Sequence, residues 1–150
     1  MFLRGPRRLI VDTPIREAIA ARVAADHPHE AGGYLVCDRR DGGLEATDHR
    51  PLDNEAETPT RRFRTTVGDN AVPEPRVFYH SHTAVGSPSG LTGTDRRLPE
   101  SLVLVVYAPE GEPISYRLFG RRLFNWRELP VEGRAEPDPG VEPEPLPALR

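Results

Sequence analysis

The run Leu102-Val103-Leu104-Val105-Val106 constrains the fold more than any other part of this chain. Successive side chains of a strand point to opposite faces. Both sets are aliphatic here, so the run reads as a central strand covered on both sides. Other strand-like runs fall at 33–37, 44–48, 63–66, 77–80 and 114–119. Asp41-Gly42-Gly43 between the first two reads as a hairpin turn, and the 108–112 segment makes a second hairpin plausible. Upstream, Asp12 or Thr13 caps a helix that places Pro14 in its first turn. Ile15, Ile19 and Val23 recur at helical spacing with Ala18 beside them, Arg22 lies at the edge of that face, and His27-Pro28 ends the helix. One early helix and five or six strands predict a single α/β (α+β) layered domain with a mixed central sheet.

Composition narrows the function. The chain has 150 residues and a net charge of −3, and all 20 of its positive charges are arginines. A lysine Schiff base or P-loop lysine is therefore excluded within the chain. A net-acidic protein makes a poor general nucleic-acid binder, because neutralising phosphates takes a basic surface. No run approaches the ~18–20 apolar residues of a membrane helix. The first eight residues are charged with no apolar stretch behind them, so no signal peptide is expected and the location is read as cytoplasmic. Cys37 is the single cysteine, which leaves no internal disulfide and no thiolate cluster. It sits in an apolar run and reads as a buried strand residue. Phe119, Leu123, Phe124 and Trp126 are expected to close the sheet by packing on the core, whereas the oligomeric state is not legible. Residues 131–150 hold five prolines and five acidic residues with almost no periodicity. The expectation is a domain over 1–130 and a disordered tail over 131–150 that carries no chemistry.

The chemistry is concentrated in Phe78-Tyr79-His80-Ser81-His82 and Thr92-Gly93-Thr94-Asp95. On a strand, positions i and i+2 share a face, so His80 and His82 aim two imidazoles at one point. The Gly-, Ser- and Pro-rich segment 83–93 can bring Asp95 back to that point. Two histidines and a carboxylate leave the fourth tetrahedral position open, as in catalytic rather than structural zinc sites. Upstream, Glu30 stands at a strand entrance beside Gly32 and Gly33, which permit close backbone approach. A carboxylate there could take a proton from a nucleophilic water and deliver it to a leaving amine. Each element alone has a plainer reading: a hydrogen-bonded histidine pair, an aspartate capping a short helix, a solvated glutamate.

Glu30 with Gly33-x-Leu35, then His80-x-His82, then Thr92-x-x-Asp95, resembles the signature of the JAMM (MPN+, Mov34/PAD-1) metallopeptidases. The resemblance covers roughly residues 8 to 127, and 51–56 with Pro59 and Phe63 also looks like the segment between glutamate and histidines in that family. It implies the JAMM/MPN fold, of cytidine-deaminase-like type, with helices flanking the mixed sheet. It implies Zn2+ on His80, His82 and Asp95, with Glu30 as general base and then general acid. Thr92 stands where the family's serine steadies the oxyanion. The stretch from His82 to Asp95 is two residues longer than the usual pattern, so Ser89 competes with Thr92 for that role. Thr83 replaces a common proline, and 66–76 is short where relatives often carry a helix.

The segment His80-Ser81-His82-Thr83-Ala84 is similar to the branch that trims the C-terminus of a ubiquitin-like sulfur-carrier protein. The resemblance thus implies zinc-dependent hydrolysis of a peptide or isopeptide bond at the C-terminal Gly-Gly of such a carrier. A deubiquitinase-like or other peptide-processing activity stays open, as does a non-catalytic MPN interaction scaffold. A zinc deaminase fits poorly, because the chain has no P-C-x-x-C pair.

Overall fold

The computed structural model describes residues 5–66 and 72–133. In chain order its elements are β1 (Leu9–Ile10), α1 (Thr13–Asp26), β2 (Gly32–Arg40), β3 (Gly43–Leu52), β4 (Arg76–His82), β5 (Leu102–Tyr107), β6 (Ser115–Arg121), β7 (Trp126–Leu129) and β8 (Val131–Glu132). One 3-10 turn, Asp95–Arg97, lies between β4 and β5. The strands form one mixed sheet in the order β7-β6-β5-β4-β2-β3-β1-β8. β4 and β5 run parallel, as do β1 with β3 and β1 with β8; the remaining pairs are antiparallel.

The local chemistry explains these elements. Asp12 takes the N-cap position with extended backbone, and Pro14 occupies the first turn, where its missing N–H removes no helical bond. A 14-residue helix is marginal alone in water. α1 persists because Ile19 and Val23 are buried and Ile15 packs against the same core. β2 and β3 join through Asp41 (φ 48°) and Gly42 (φ 79°). Both turn residues are left-handed, which matches the right-handed twist of the strands they connect. β5 is buried along Leu102 to Val106, as its two-sided apolar pattern predicts. β5 and β6 form the second hairpin, with Tyr107 opposite Ser115.

The two faces of the sheet carry separate cores. One holds Leu35, Val77, Tyr79, Leu104 and Val106 with Ile19 and Val23 of α1. The other holds Tyr34, Phe78, Val103, Val105, Phe119 and Trp126, closed by Leu91 and by half-buried Phe63 and Leu98. Among the described residues α1 is the one α-helix, so the second face is covered by the 53–66 and 83–101 loops.

Four expectations change. Residues 63–66 form no strand. Both neighbours of β2 are already strands, and the local backbone instead bonds to Asn54 and Glu55. Short strands β1, β7 and β8 add to those read from the sequence. The domain also runs past Pro130: Leu9 N–H donates to Pro130 O, Val11 N–H to Glu132 O, and Val131 is buried. Leu9 and Ile10 of β1, with Val11 after them, needed a partner that composition did not reveal. Residues 134–150 of the expected tail lie outside the described residues. Finally, Phe119 and Trp126 are buried, whereas Leu123 and Phe124 are 87 % and 92 % exposed. Arg121 pairs with Trp126, so these two sit at the tip of the β6–β7 hairpin, beyond the sheet.

Candidate metal centre

β4 supplies both histidines because its alternation puts Phe78, His80 and His82 on the loop-covered face and Val77, Tyr79 and Ser81 opposite. After His82 the chain turns back and presents Asp95 at the start of the 3-10 turn. Thr92 and Asp95 hold each other there. Thr92 N–H donates to Asp95 Oδ2 (2.9 Å), and Asp95 N–H donates to Thr92 Oγ1 (3.0 Å). This reciprocal pair fixes the aspartate rotamer. His80 Nε2 lies 2.8 Å from Asp95 Oδ1. His82 Nε2 lies 3.1 Å from Asp95 Oδ2 and 3.1 Å from His80 Nε2. All three residues are buried.

Surrounding polar groups orient these side chains. His82 Nδ1–H donates to Pro88 O (2.8 Å), which leaves its Nε2 lone pair aimed at the cluster. Thr83 Oγ1 donates to Pro28 O (2.8 Å), tying the residue after the histidines to the segment that carries Glu30. Ser81 clamps that segment twice: its N–H donates to Ala31 O, and its Oγ accepts from Ala31 N–H, both at 2.8 Å. Glu30 N–H donates to Pro59 O, and Glu30 O accepts from the Asn54 amide (2.9 Å). Asn54 also donates to Pro59 O and Arg62 O, so one side chain organises the loop over the site. The glycines beside Glu30 act sterically. A Cβ on Gly33 would meet Arg50 O at 2.3 Å, and one on Gly32 would meet the Phe63 ring at 2.7 Å.

The electrostatics separate the two carboxylates. Burial pushes the Glu30 carboxyl above its ordinary value, against the pull of His80 and His82. Burial also opposes ionisation of Asp95, but the two histidines outweigh it and hold that carboxyl well below the usual carboxylate range. For His82, burial disfavours the charged ring and the Asp95 bond more than compensates, so its pKa is raised. One carboxylate is thus a fixed charge, and the other sits where a proton is readily kept.

Ser89 is engaged elsewhere: its Oγ accepts from Arg117 Nη1 at 2.9 Å. Arg117 is buried and forms a two-point ion pair with Glu128, at 2.6 and 2.9 Å. This pair anchors the 83–94 loop to β6 and β7. Sequence reasoning singled out neither partner, nor Asn54 as an organising group. Their only signal was a charged or amide residue whose role depends on distant chain. By contrast, the three-residue spacing of Thr92 and Asp95 singled out both residues.

The donor set fits a metal ion. One atom from each of His80, His82 and Asp95 lies within 4.8 Å of the others. Ligands at zinc distances in a tetrahedron stand roughly 3.3 Å apart, close to the 2.8–3.1 Å contacts seen here. Two imidazoles and a carboxylate suit zinc and its borderline neighbours. His80 Nδ1 is buried with no hydrogen-bond partner among the described residues. A cleft of about 170 Å³, lined by Arg39, Arg76, Arg121 and Arg122 among others, opens at the opposite end of β4 and includes none of these groups.

Two solved structures share the fold. The solution structure of a protein from Desulfitobacterium hafniense is 19% identical, with a TM-score of 0.62, over 84% of this chain and 92% of that one. One from Salinibacter ruber is 20% identical, with a TM-score of 0.57, over 87% and 92%. No curated protein matches the chain. The family model for prokaryotic homologs of the JAB domain matches residues 12–126, a span from the start of α1 to the start of β7 that contains Glu30, His80, His82, Thr92 and Asp95. The chain belongs to this Prok-JAB family.

Proposed function

We propose that this protein is a zinc-dependent hydrolase of peptide or isopeptide bonds. The observation that carries the reading is the convergence of His80, His82 and Asp95 with Glu30 buried beside them. A zinc ion on the three ligands supplies Lewis acidity toward a carbonyl oxygen and acidifies water. Glu30 accepts a proton from the attacking water, and the remaining hydroxyl adds to the scissile carbon. When the C–N bond breaks, Glu30 returns that proton to the amine nitrogen. Burial raises the Glu30 pKa, which favours the protonated form it needs to return a proton to the amine. Thr92 Oγ1 accepts the Asp95 N–H and keeps its own proton to donate toward the oxyanion.

The substrate reading is finer: the C-terminal Gly-Gly tail of a ubiquitin-like sulfur-carrier protein, bearing an amino acid or amine. Its support is the likeness of residues 80–84 to that branch. Here Thr83 takes the place of a proline and bonds the Glu30 segment, a contact proline cannot make.

The test is metal content by mass spectrometry on the full chain, beside His82→Ala and Glu30→Gln. The expected result is about one zinc per chain, lost in His82→Ala and retained in Glu30→Gln. Turnover of carrier adducts falls by roughly 10²–10⁴-fold in Glu30→Gln, the usual weight of a general acid–base group. Wild-type protein that takes up no zinc after incubation overturns the hydrolase reading. Turnover retained in Glu30→Gln removes that residue from the mechanism.

A further inference from the structure

A pocket of about 200 Å³ opens on the face that carries the candidate metal centre, lined by Tyr34, Phe63, Phe78, Leu98 and Pro99, with Arg64, Thr65 and Glu100 completing it. It adjoins the metal centre, because the Phe78 ring stacks on His80 with centroids 5.7 Å apart. Tyr34 and Phe63 lie 5.5 and 5.8 Å from Phe78. The one carboxylate in the lining is already matched: Glu100 accepts from Tyr34 Oη at 2.7 Å and pairs with Arg76. The buried wall is therefore aromatic and aliphatic, with the exposed Arg64 at its rim and no uncompensated negative charge, a lining that favours an apolar occupant.

Strand register gives the pocket a direction. Gly32 is opposite His80 and Tyr34 is opposite Phe78. Glu30, two residues before Gly32, therefore lies beyond His80 on the side away from the pocket. On the proposed mechanism Glu30 protonates the departing amine, so the amine part of the substrate lies toward Glu30 and the acyl part toward Tyr34 and Phe78. An extended chain advances ~3.3 Å per residue, so the 5.7 Å step from His80 to Phe78 corresponds to about two residues.

We infer that this pocket selects substrate by an apolar side chain on the acyl part, about two residues before the scissile carbonyl. The inference rests on the hydrolase reading above and narrows it. A tail ending in Gly-Gly presents its first side chain at that position. Gly32 is built into the device, because only a residue without Cβ lets Phe63 lie against β2 and form the wall.

The test uses full-length, zinc-loaded protein and acetyl-Xaa-Gly-Gly-cysteine peptides with leucine, phenylalanine, serine or glutamate at Xaa. Alongside, calorimetry measures binding of the uncleavable acetyl-Xaa-Gly-Gly acids. Leucine and phenylalanine should exceed serine and glutamate by ~10-fold or more in kcat/KM, with the same order in affinity. Phe63→Ala should narrow that ratio mainly through KM. Equal rates and equal affinities across the series overturn the pocket and leave the hydrolase reading standing. Discrimination in binding with no turnover of any peptide sustains the pocket and sinks the hydrolase reading. Selectivity that appears only when the varied residue follows the scissile bond overturns the assignment to the acyl part.

Discussion

On the helix-covered face of the sheet, Ile19 and Val23 pack on Leu35, Val77, Leu104 and Val106, and nearly every buried side chain is aliphatic. On the loop-covered face the buried set is largely aromatic, and it borders His80 and His82 of β4, Glu30 just before β2 and Asp95 of the 3-10 turn. The same strands supply both faces, so the difference lies in what covers them. A helix satisfies its own backbone and asks only for apolar shape. A loop leaves backbone groups to be bonded, and here polar side chains meet them: Asn54 on three carbonyls and Thr83 on Pro28. Metal ligands need that kind of polar, positioned surrounding. The candidate site therefore lies on the loop face, and the helix face serves as its rigid floor.

Three perturbations test this contrast. On the loop face, Glu128→Ala takes away the acid that Arg117 pairs with in a buried setting, which should cost about 3 kcal/mol in chemical denaturation. It should also loosen Ser89 and Pro88, so zinc affinity should fall with stability. An unchanged zinc affinity would show that this anchor does not reach the site. On the helix face, Leu35→Ala should cost ~2–3 kcal/mol through lost packing, while zinc stoichiometry in the folded protein stays the same. Loss of metal there would break the distinction between floor and site.

The smallest effect concerns Cys37, on the helix face. Burial pushes its thiol up to about 12. A raised pKa means that the folded state disfavours the thiolate, so the native protein resists alkylation at any pH below that value. In the unfolded chain the thiol titrates in its ordinary range near 8.5. Iodoacetamide at pH 8 should therefore label Cys37 only as denaturant unfolds the chain, read by mass spectrometry. Rapid labelling of native protein would show that the helix-side core opens locally.

How much was legible differs by residue. The placement of His80 and His82 on one face follows from a spacing of two residues, so the sequence alone gives it, whereas the reciprocal Thr92–Asp95 bonds emerged only from the structure. The two-sided run of β5, the Asp41-Gly42 turn and the span of α1 were legible for the same reason. Residues 63–66 misled, because their pattern suits a strand, whereas both sides of β2 are already taken by β3 and β4 and the local backbone bonds to Asn54 and Glu55 instead. Leu123 and Phe124 misled as well, because a hairpin tip carries its side chains beyond the core whatever their hydrophobicity.

What the sequence determined by itself was short-range: strand alternation, helix period, turn chemistry and the pairing of ligands a few positions apart. Only the tertiary structure decided that Ser81 clamps Ala31 across 50 residues, bringing Glu30 to the histidines. It also decided that Val131 and Glu132 complete the sheet beside β1. The physical reason is the same in each case. Local patterns fix which way a side chain points, whereas a long-range hydrogen bond or strand pairing depends on which surfaces meet once the cores have closed.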